Sequence, residues 1–446
     1  GWMNGHEVWY IVPSGVKVLD LKYRETGYDT ELSGSFESED PFLNELWKRS
    51  ARTLYITMRD TYMDCPDRER AQWWGDEVNE LGEAFYALSP SGQLLARKGI
   101  LELVNWQEAN GVLYSPVPAG NRVIELPLQM LASVGWYGFH TQYWFSGDSS
   151  FVAEVYPKVE RYLFRGGLWR FQDNGLLKIR PGDWNWGDWG DDIDVEVLTN
   201  CWYYLALKSQ KDFARILGKQ KDAETIEALM KRIADAFDSR YWTGSAYRDP
   251  NYKKQTDDRA QAMAVVSGLA SADKYPALFE TLKKEYHASP YMEKYVLEAL
   301  FKMGHADFAI ERMKSRYAKM LKYDYTTLFE GWGIGSEGFG GGTINHAWSG
   351  GPLTILSQKL CGIEPTAPGF ETFEVKPQMG TLKSASASLE THYGMIRVSL
   401  SRKSSKSHIA TLTIEVPEGT TATVTASNGK PKSLEAGKYS LKIKVE

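Results

Sequence analysis

Two stretches of this sequence gather residues able to do chemistry on a polar substrate. The first is Asp64-Cys65-Pro66-Asp67-Arg68-Glu69-Arg70-Ala71-Gln72-Trp73-Trp74-Gly75-Asp76-Glu77. Pro66 ends whatever precedes it, and a helix is expected after Gly75. The stretch therefore reads as a loop leading into a helix, from which a carboxylate can project into a cavity. Such charge density is common in salt-bridged surface loops, but exposed loops rarely carry two adjacent tryptophans. The second stretch is Tyr325-Thr326-Thr327-Leu328-Phe329-Glu330-Gly331-Trp332-Gly333, followed by Gly340-Gly341-Gly342-Thr343-Ile344-Asn345-His346-Ala347-Trp348. Glu330 lies between Phe329 and Trp332, and an apolar wall raises a carboxyl's pKa. The glycines let a ligand approach the backbone. A lone histidine is most often structural, yet His346 opens a helix beside this loop and is equally placed to bind a hydroxyl. Two carboxylates on separate loops, each beside tryptophan, meet the requirement for cleaving a glycosidic bond. One must be protonated to donate to the leaving oxygen, and the other ionised to activate water or attack the sugar.

The composition supports a sugar as substrate. The chain of 446 residues holds 16 Trp and 25 Tyr, several in polar loops such as Pro181-Gly182-Asp183-Trp184-Asn185-Trp186-Gly187-Asp188-Trp189. Sugar rings have apolar faces and a rim of hydroxyls, so their sites combine flat aromatic platforms with carboxylates and amides. Asp183, Asp188, Asp191, Asp192 and Asp194 are compatible with a Ca²⁺ site, although their spacing matches no known loop motif and the chemistry requires no metal. Hydroxyl binding or solvation explains them better. Net charge is −5 with no basic stripe, which argues against nucleic acid. Cys65, Cys201 and Cys361 are scattered and odd in number, so neither a disulfide framework nor a zinc site is expected. No stretch is apolar enough to span a membrane. The chain opens with Gly1-Trp2-Met3 and runs at once into strand-like sequence. A natural N-terminus further upstream is therefore the expectation, and the lack of a visible signal peptide says little about compartment.

The elements that must position these residues fall into three regions. Val8, Tyr10 and Val12 alternate, and Val16 and Val18 repeat the spacing, so residues 1–37 read as a short β segment, the tail of a β domain or a linker. From 38 to 362 helical signals dominate. Asp40-Pro41 is an N-cap with proline at the first helical position, and helices are expected near 76–88, 93–109, 126–146, 151–165, 195–217, 221–238, 257–270, 274–286, 291–303, 306–321 and 343–358. About twelve helices suit six hairpins arranged as a toroid, an (α/α)₆ fold; a solenoid would need a repeat of fixed period, which is not visible. After Gly362 alternation returns at Ile396, Val398 and Leu400, at Leu412, Ile414 and Val416, and at Tyr439, Leu441, Ile443 and Val445. With a hairpin turn at Ser427-Asn428-Gly429, residues 363–446 read as an antiparallel β-sandwich.

Together these motifs resemble glycoside hydrolase family 78, the bacterial α-L-rhamnosidases and their relatives. The family pattern runs Asp-Cys-Pro-x-Arg-x-Glu-Arg, Gly-Trp-x-Gly-Asp, a distant Trp-Glu-x-Trp, then Asn-His. This chain has Asp64-Cys65-Pro66-Asp67-Arg68-Glu69-Arg70, Trp73, Gly75-Asp76, Phe329-Glu330-Gly331-Trp332 and Asn345-His346 in that order. Gly34-Ser35-Phe36, Gly362-Ile363-Glu364-Pro365 and Pro368-Gly369-Phe370 also fit, so the match covers nearly the whole chain. The resemblance implies a toroid followed by a β-sandwich. It places the general acid at Glu69, the general base at Glu330, and sugar contacts at Asp64, Arg68, Trp73, Asp76, Trp184, Trp332 and His346. It further implies inversion at a terminal α-L-rhamnosyl or related deoxysugar or pentose linkage of a glycan, without a cofactor. A periplasmic or extracellular enzyme would fit it, with a cytoplasmic one left open. There are departures. The spacing between Arg68 and Glu69 is read as one residue short, which leaves Asp67 as a rival acid. Gln72 stands where the family has glycine, Trp74 is an unusual neighbour, Phe329 replaces tryptophan, and Leu126-Pro127-Leu128-Gln129 lacks an expected acidic residue. These changes are expected to line the sugar pocket. Two other functions compete: a glycan-binding protein that has lost catalysis, and a polysaccharide lyase using Tyr325 or Asn345-His346.

Overall fold

The computed structural model describes residues 3–5, 7–118, 124–165, 167–338, 342–427 and 429–445. In chain order it places strand β1 (Ser35–Ser38), then helices α1 (Pro41–Ile56), α2 (Trp74–Ala87), α3 (Gly92–Asn105), α4 (Pro127–Val134), α5 (Phe139–Ser146) and α6 (Val152–Phe164). These are followed by α7 (Val195–Ile216), α8 (Gln220–Tyr241), α9 (Asp258–Ser267), α10 (Tyr275–Leu282), α11 (Pro290–Lys302), α12 (Ala306–Lys322) and α13 (Gly351–Ile355). Several starts are chemically explicit. Asp40 accepts from Phe42 N at 2.9 Å, Asp257 from Arg259 N at 3.0 Å and Ser289 from Tyr291 N at 3.2 Å.

Alternate helices form an inner ring. α2, α4, α7, α9, α11 and α13 pack each on the next, and α13 closes back on α2. Every residue of α2, α4, α9 and α13 is buried. The remaining helices lie outside, and most of them bury one stripe. In α8 this stripe is Ala223, Ile226, Met230, Ile233, Phe237 and Tyr241, spaced as a helix half in water requires. This is the six-hairpin toroid. The long connections all enter inner helices at their N-termini, while the returns from inner to outer helices are short. One end of the ring therefore collects the loops and the positive ends of the inner helix dipoles.

Two expected helices differ. The run 126–146 breaks into α4 and α5 at Gly135–Gly138, where a side chain at Gly138 would meet Ser133 O at 1.9 Å. The run 343–358 becomes a 3-10 turn at Ala347–Gly350, the short α13 and a π-helical turn at Leu356–Leu360.

Nine strands make the sandwich, with β2 (Ile363–Pro365), β3 (Thr372–Val375), β4 (Ser384–Thr391), β5 (Gly394–Ser401), β6 (Ile409–Val416), β7 (Thr421–Val424), β8 (Lys432–Leu434) and β9 (Gly437–Lys444) joining β1. The sheets run β1-β4-β5-β6-β9 and β2-β3-β7-β8. The expectation of an antiparallel sandwich needs one correction, because β3 and β7 pair in parallel. The expected strands in the first 37 residues are corrected more strongly. Among the described residues of this segment only β1 forms, as the edge of the sandwich sheet with Phe36 opposite Ala387, whereas Val8, Tyr10, Val12, Val16 and Val18 are exposed and in no strand. Alternation alone does not supply a partner strand. Asn428 of the expected hairpin turn, and Gly340 and Gly341 of the glycine-rich loop, lie outside the described residues.

Candidate active site

At the loop-bearing end of the ring is a cavity of about 380 Å³. Asp64, Arg68, Glu69 and Trp73 reach it from the loop before α2, and Asp76 from that helix's first turn. Gln129 comes from the first turn of α4, and Trp184, Trp186 and Trp189 from the loop before α7. Glu330, His346 and Trp348 come from the segment leading to α13, and Ile124 and Leu126 complete the wall.

The loop before α2 is folded on itself. Asp64 N donates to Ala71 O and Ala71 N donates back to Asp64 Oδ1, both at 3.0 Å. Arg70 adopts a left-handed φ of 52° at the turn between them. The turn brings Arg68 Nε to 2.8 Å from Glu69 Oε2 and Arg68 Nη2 to 3.6 Å from Glu330 Oε1. One guanidinium thus touches both candidate carboxylates. Glu330 is held from behind: its N donates to Thr343 O at 2.8 Å, and its Oε2 accepts from Thr343 N at 3.1 Å and Thr343 Oγ1 at 2.8 Å. His346 Nδ1 lies 3.0 Å from Thr343 Oγ1 and its Nε2 lies 2.7 Å from Asp76 Oδ1.

The electrostatics separate the acids. Burial pushes the Asp64 carboxyl up to about 10, helped by the Cys65 thiol beside it. Glu69 is a third exposed. Partial burial acts to raise it, but hydrogen bonds with Arg68 and Asp64 prevail and hold it below the usual range. Burial alone would lower His346, yet its hydrogen bond to Asp76 and the neighbouring Cys65 sulfur raise it well above the usual histidine value.

The aromatic wall stands on a buried frame. Trp186 stacks on Trp348 with centroids 5.8 Å apart, and Trp184 lies at the rim, 45 % exposed. Asp188 accepts from Ser289 N at 2.8 Å, from Ser289 Oγ and from Arg259 Nη1 at 3.2 Å. Arg259 also holds the carbonyls of Trp189 and Asp192. Asp194 caps α7 and accepts from Asp249 N, while Asp183 accepts from Glu125 N. Of the five aspartates considered for Ca²⁺, Asp183, Asp188 and Asp194 are thus turned to separate protein donors. Asp64, Cys65 and His346 bring a carboxylate, a thiol and an imidazole within 4.8 Å. They too are committed, the thiol to Asp64 Oδ2 at 3.2 Å and the imidazole to Asp76 and Thr343.

Of the nine residues expected at the site, eight meet in this cavity. Trp332 does not. Its indole donates to Ala288 O at 2.9 Å and its ring packs on Tyr317 and under Arg316, which anchors the loop. Asp67, the rival acid, is off the cavity, where it accepts from Asn345 Nδ2 at 3.2 Å. The departures from the family pattern also divide. Gln72 donates to Val117 O, Trp74 packs edge-on against Phe139, and Phe329 packs against Tyr323 and Tyr325; none of them lines the pocket. Gln129 does line it, and an amide inside an apolar run gave little signal for that role. Of the residues the lyase reading called on, Tyr325 lies off the cavity and Asn345 is held by Asp67 and Thr327, while His346 lines the cavity.

Comparison with known proteins gives the same picture. Residues 31–360 match the bacterial alpha-L-rhamnosidase 6 hairpin glycosidase domain, and residues 362–440 match the bacterial alpha-L-rhamnosidase C-terminal domain. An alpha-L-rhamnosidase of Formosa agariphila is 24 % identical over 91 % of this chain and 45 % of its own length. The GH78 family rhamnosidase of Bacillus sp. GL1 superposes with a TM-score of 0.78 at 24 % identity, covering 90 % of this chain and 43 % of that one. The Streptomyces avermitilis alpha-L-rhamnosidase complexed with L-rhamnose gives a TM-score of 0.77 at 21 % identity, covering 93 % and 42 %. At these identities the superpositions establish the fold. The chain spans about half the length of the curated relatives it matches.

Proposed function

The chain belongs to the bacterial α-L-rhamnosidase six-hairpin glycosidase family, and on that premise we propose that it is an inverting glycoside hydrolase removing terminal α-L-rhamnosyl, or related deoxysugar or pentose, units from glycans. The observation that carries this reading is the pair Glu69 and Glu330, delivered by separate loops to one aromatic-walled cavity and bridged by Arg68. A guanidinium between two carboxylates holds them apart rather than in contact. Inversion needs such a gap to admit a water between base and sugar.

In the proposed mechanism Glu330 takes a proton from water as the water attacks the anomeric carbon, and Glu69 protonates the leaving oxygen on the other face. Glu69 is lowered and Asp64 raised while water reaches the cavity, so the proton the acid needs rests on Asp64. A bound sugar strips water from Glu69, which favours its neutral form. The proton then passes from Asp64 to Glu69 within the hydrogen-bonded pair. Asp64 acts here as the store of the transferred proton, and Arg68 orients both acids.

The test is hydrolysis of a panel of aryl glycosides led by the α-L-rhamnoside, with the first-formed anomer read by NMR. Release of β-rhamnose is expected. Glu69→Gln and Glu330→Gln should each lower kcat by about 10²–10⁴-fold with little change in stability. Near-wild-type turnover by either variant removes that residue from the mechanism. Glycan binding without product from any sugar would favour the binding-protein alternative.

A further inference from the structure

We infer that Thr343 is the positioning residue of Glu330, linking it through His346 to Asp76 so that Oε1 alone is left to face the cavity. This rests on the hydrolase reading above. Glu330 and Thr343 lie on facing segments joined by the Phe329–Ile344 bridge and by Glu330 N donating to Thr343 O. That pairing sets the Thr343 N–H and Oγ1–H on a single carboxylate oxygen, Oε2, at 3.1 and 2.8 Å. Both are donors, so Oε2 is satisfied. Oε1 is the oxygen nearest Arg68, 3.6 Å away, on the side where the water and sugar must come.

The protons can be placed by elimination. A threonine hydroxyl has one hydrogen and accepts with its lone pairs. If Oγ1 donated to His346 Nδ1 instead, its lone pairs would face the Glu330 carboxylate at 2.8 Å, which is repulsive. Oγ1–H therefore points to Glu330, and His346 Nδ1–H donates to Oγ1 across 3.0 Å. His346 Nε2–H donates to Asp76 Oδ1 at 2.7 Å. With Asp76 ionised the ring carries both protons, and its charge lies one hydroxyl away from Glu330. His346 and Asp76 line the cavity, whereas Thr343 lies behind it and acts only through its neighbours.

Thr343→Val keeps the shape and removes the hydroxyl, while Thr343→Ser keeps the hydroxyl and removes the methyl. Thr343→Val is expected to lower kcat by about 10²-fold, the scale of a misplaced catalytic group, with KM nearly unchanged. Thr343→Ser should restore turnover to within about threefold of wild type on the same scale. Retained kcat in the valine variant, or an equal loss in both variants, overturns the inference, since the second result would mean packing. An inactive wild type would instead defeat the hydrolase reading. For that case the histidine ring ¹⁵N spectrum decides the linkage independently. His346 should be doubly protonated at neutral pH in wild type and change its Nδ1 resonance in Thr343→Val; identical spectra would overturn the linkage.

Discussion

Gln129 enters the cavity from the first turn of α4 with 5 % of its surface exposed, and its Oε1 has no partner among the described residues. Its side chain lies where a Cβ on Gly75 would stand, 2.4 Å from the carboxamide carbon, so the glycine leaves room for it. A buried amide that the protein does not satisfy and that borders a sugar-sized space is suited to a ring hydroxyl. Gln129→Leu should therefore raise KM for the substrate about three- to tenfold, the value of one neutral hydrogen bond, with a smaller effect on kcat. Equal KM in the two proteins would show that Gln129 does not contact the sugar. The sequence disclosed the charged and aromatic members of the site, because Asp64, Arg68, Glu69 and Trp73 crowd into a loop where their chemistry is conspicuous. Residue type alone did not disclose Gln129, whose neighbours read as an ordinary apolar helix start; only the family resemblance drew its stretch to the pocket. The sequence also did not disclose that Trp332, two residues of irregular loop past Glu330, packs its ring on Tyr317.

The inner helix α2 carries the site's Asp76 and also Glu77, Glu80 and Glu83, all fully buried. No carboxyl oxygen of these three glutamates has a hydrogen-bond partner among the described residues. Burial holds each carboxyl well above the usual range; for Glu80, Asp76, Glu77 and Glu83 add to the effect. The folded helix therefore holds protons that the unfolded chain releases above about pH 4.5. In that window the folded state binds more protons than the unfolded one, so stability present at low pH is lost as pH rises. The slope reaches about 1.4 kcal/mol per pH unit for each group while its unfolded form is ionised and its folded form is not. Glu80→Gln should match wild type in thermal stability near pH 5 and exceed it near pH 9. Melting curves that stay parallel across this range would show that Glu80 is not a neutral acid in the fold. Helical period made most helices legible from sequence. The break between α4 and α5 was hidden because apolar residues continue through Gly135–Gly138, and only the closeness of the Gly138 backbone to Ser133 O reveals why no helix can pass.

Across the molecule, the toroid and the sandwich share one apolar core running from Phe36 to Val445. Chain order conceals this: β1 precedes the helices yet pairs with β4, and Tyr86 of α2 donates to Ile363 O of β2 at 2.7 Å. One close part of the seam is where the end of α5 meets the turn before β3. Gly147, at φ 74°, and Gly369, at φ 69°, lie back to back, and a Cβ on Gly369 would stand 3.3 Å from Gly147 Cα. Phe145 and Phe370 pack edge-on beside them, 5.6 Å apart. Gly369→Ala must place a side chain in a left-handed backbone and into that contact, a cost of about 1–2 kcal/mol from the backbone alone. For a chain of this size such a loss lowers the melting midpoint by only about 1–2 °C. Because the core is continuous, both parts should lose that stability together, in a single cooperative transition followed equally by helical and strand signals. Gly369 does not line the cavity, so kcat measured well below the midpoint should not change. Two separated transitions, with the helical one unmoved by Gly369→Ala, would show that the sandwich is an independent domain resting on the toroid rather than part of its core.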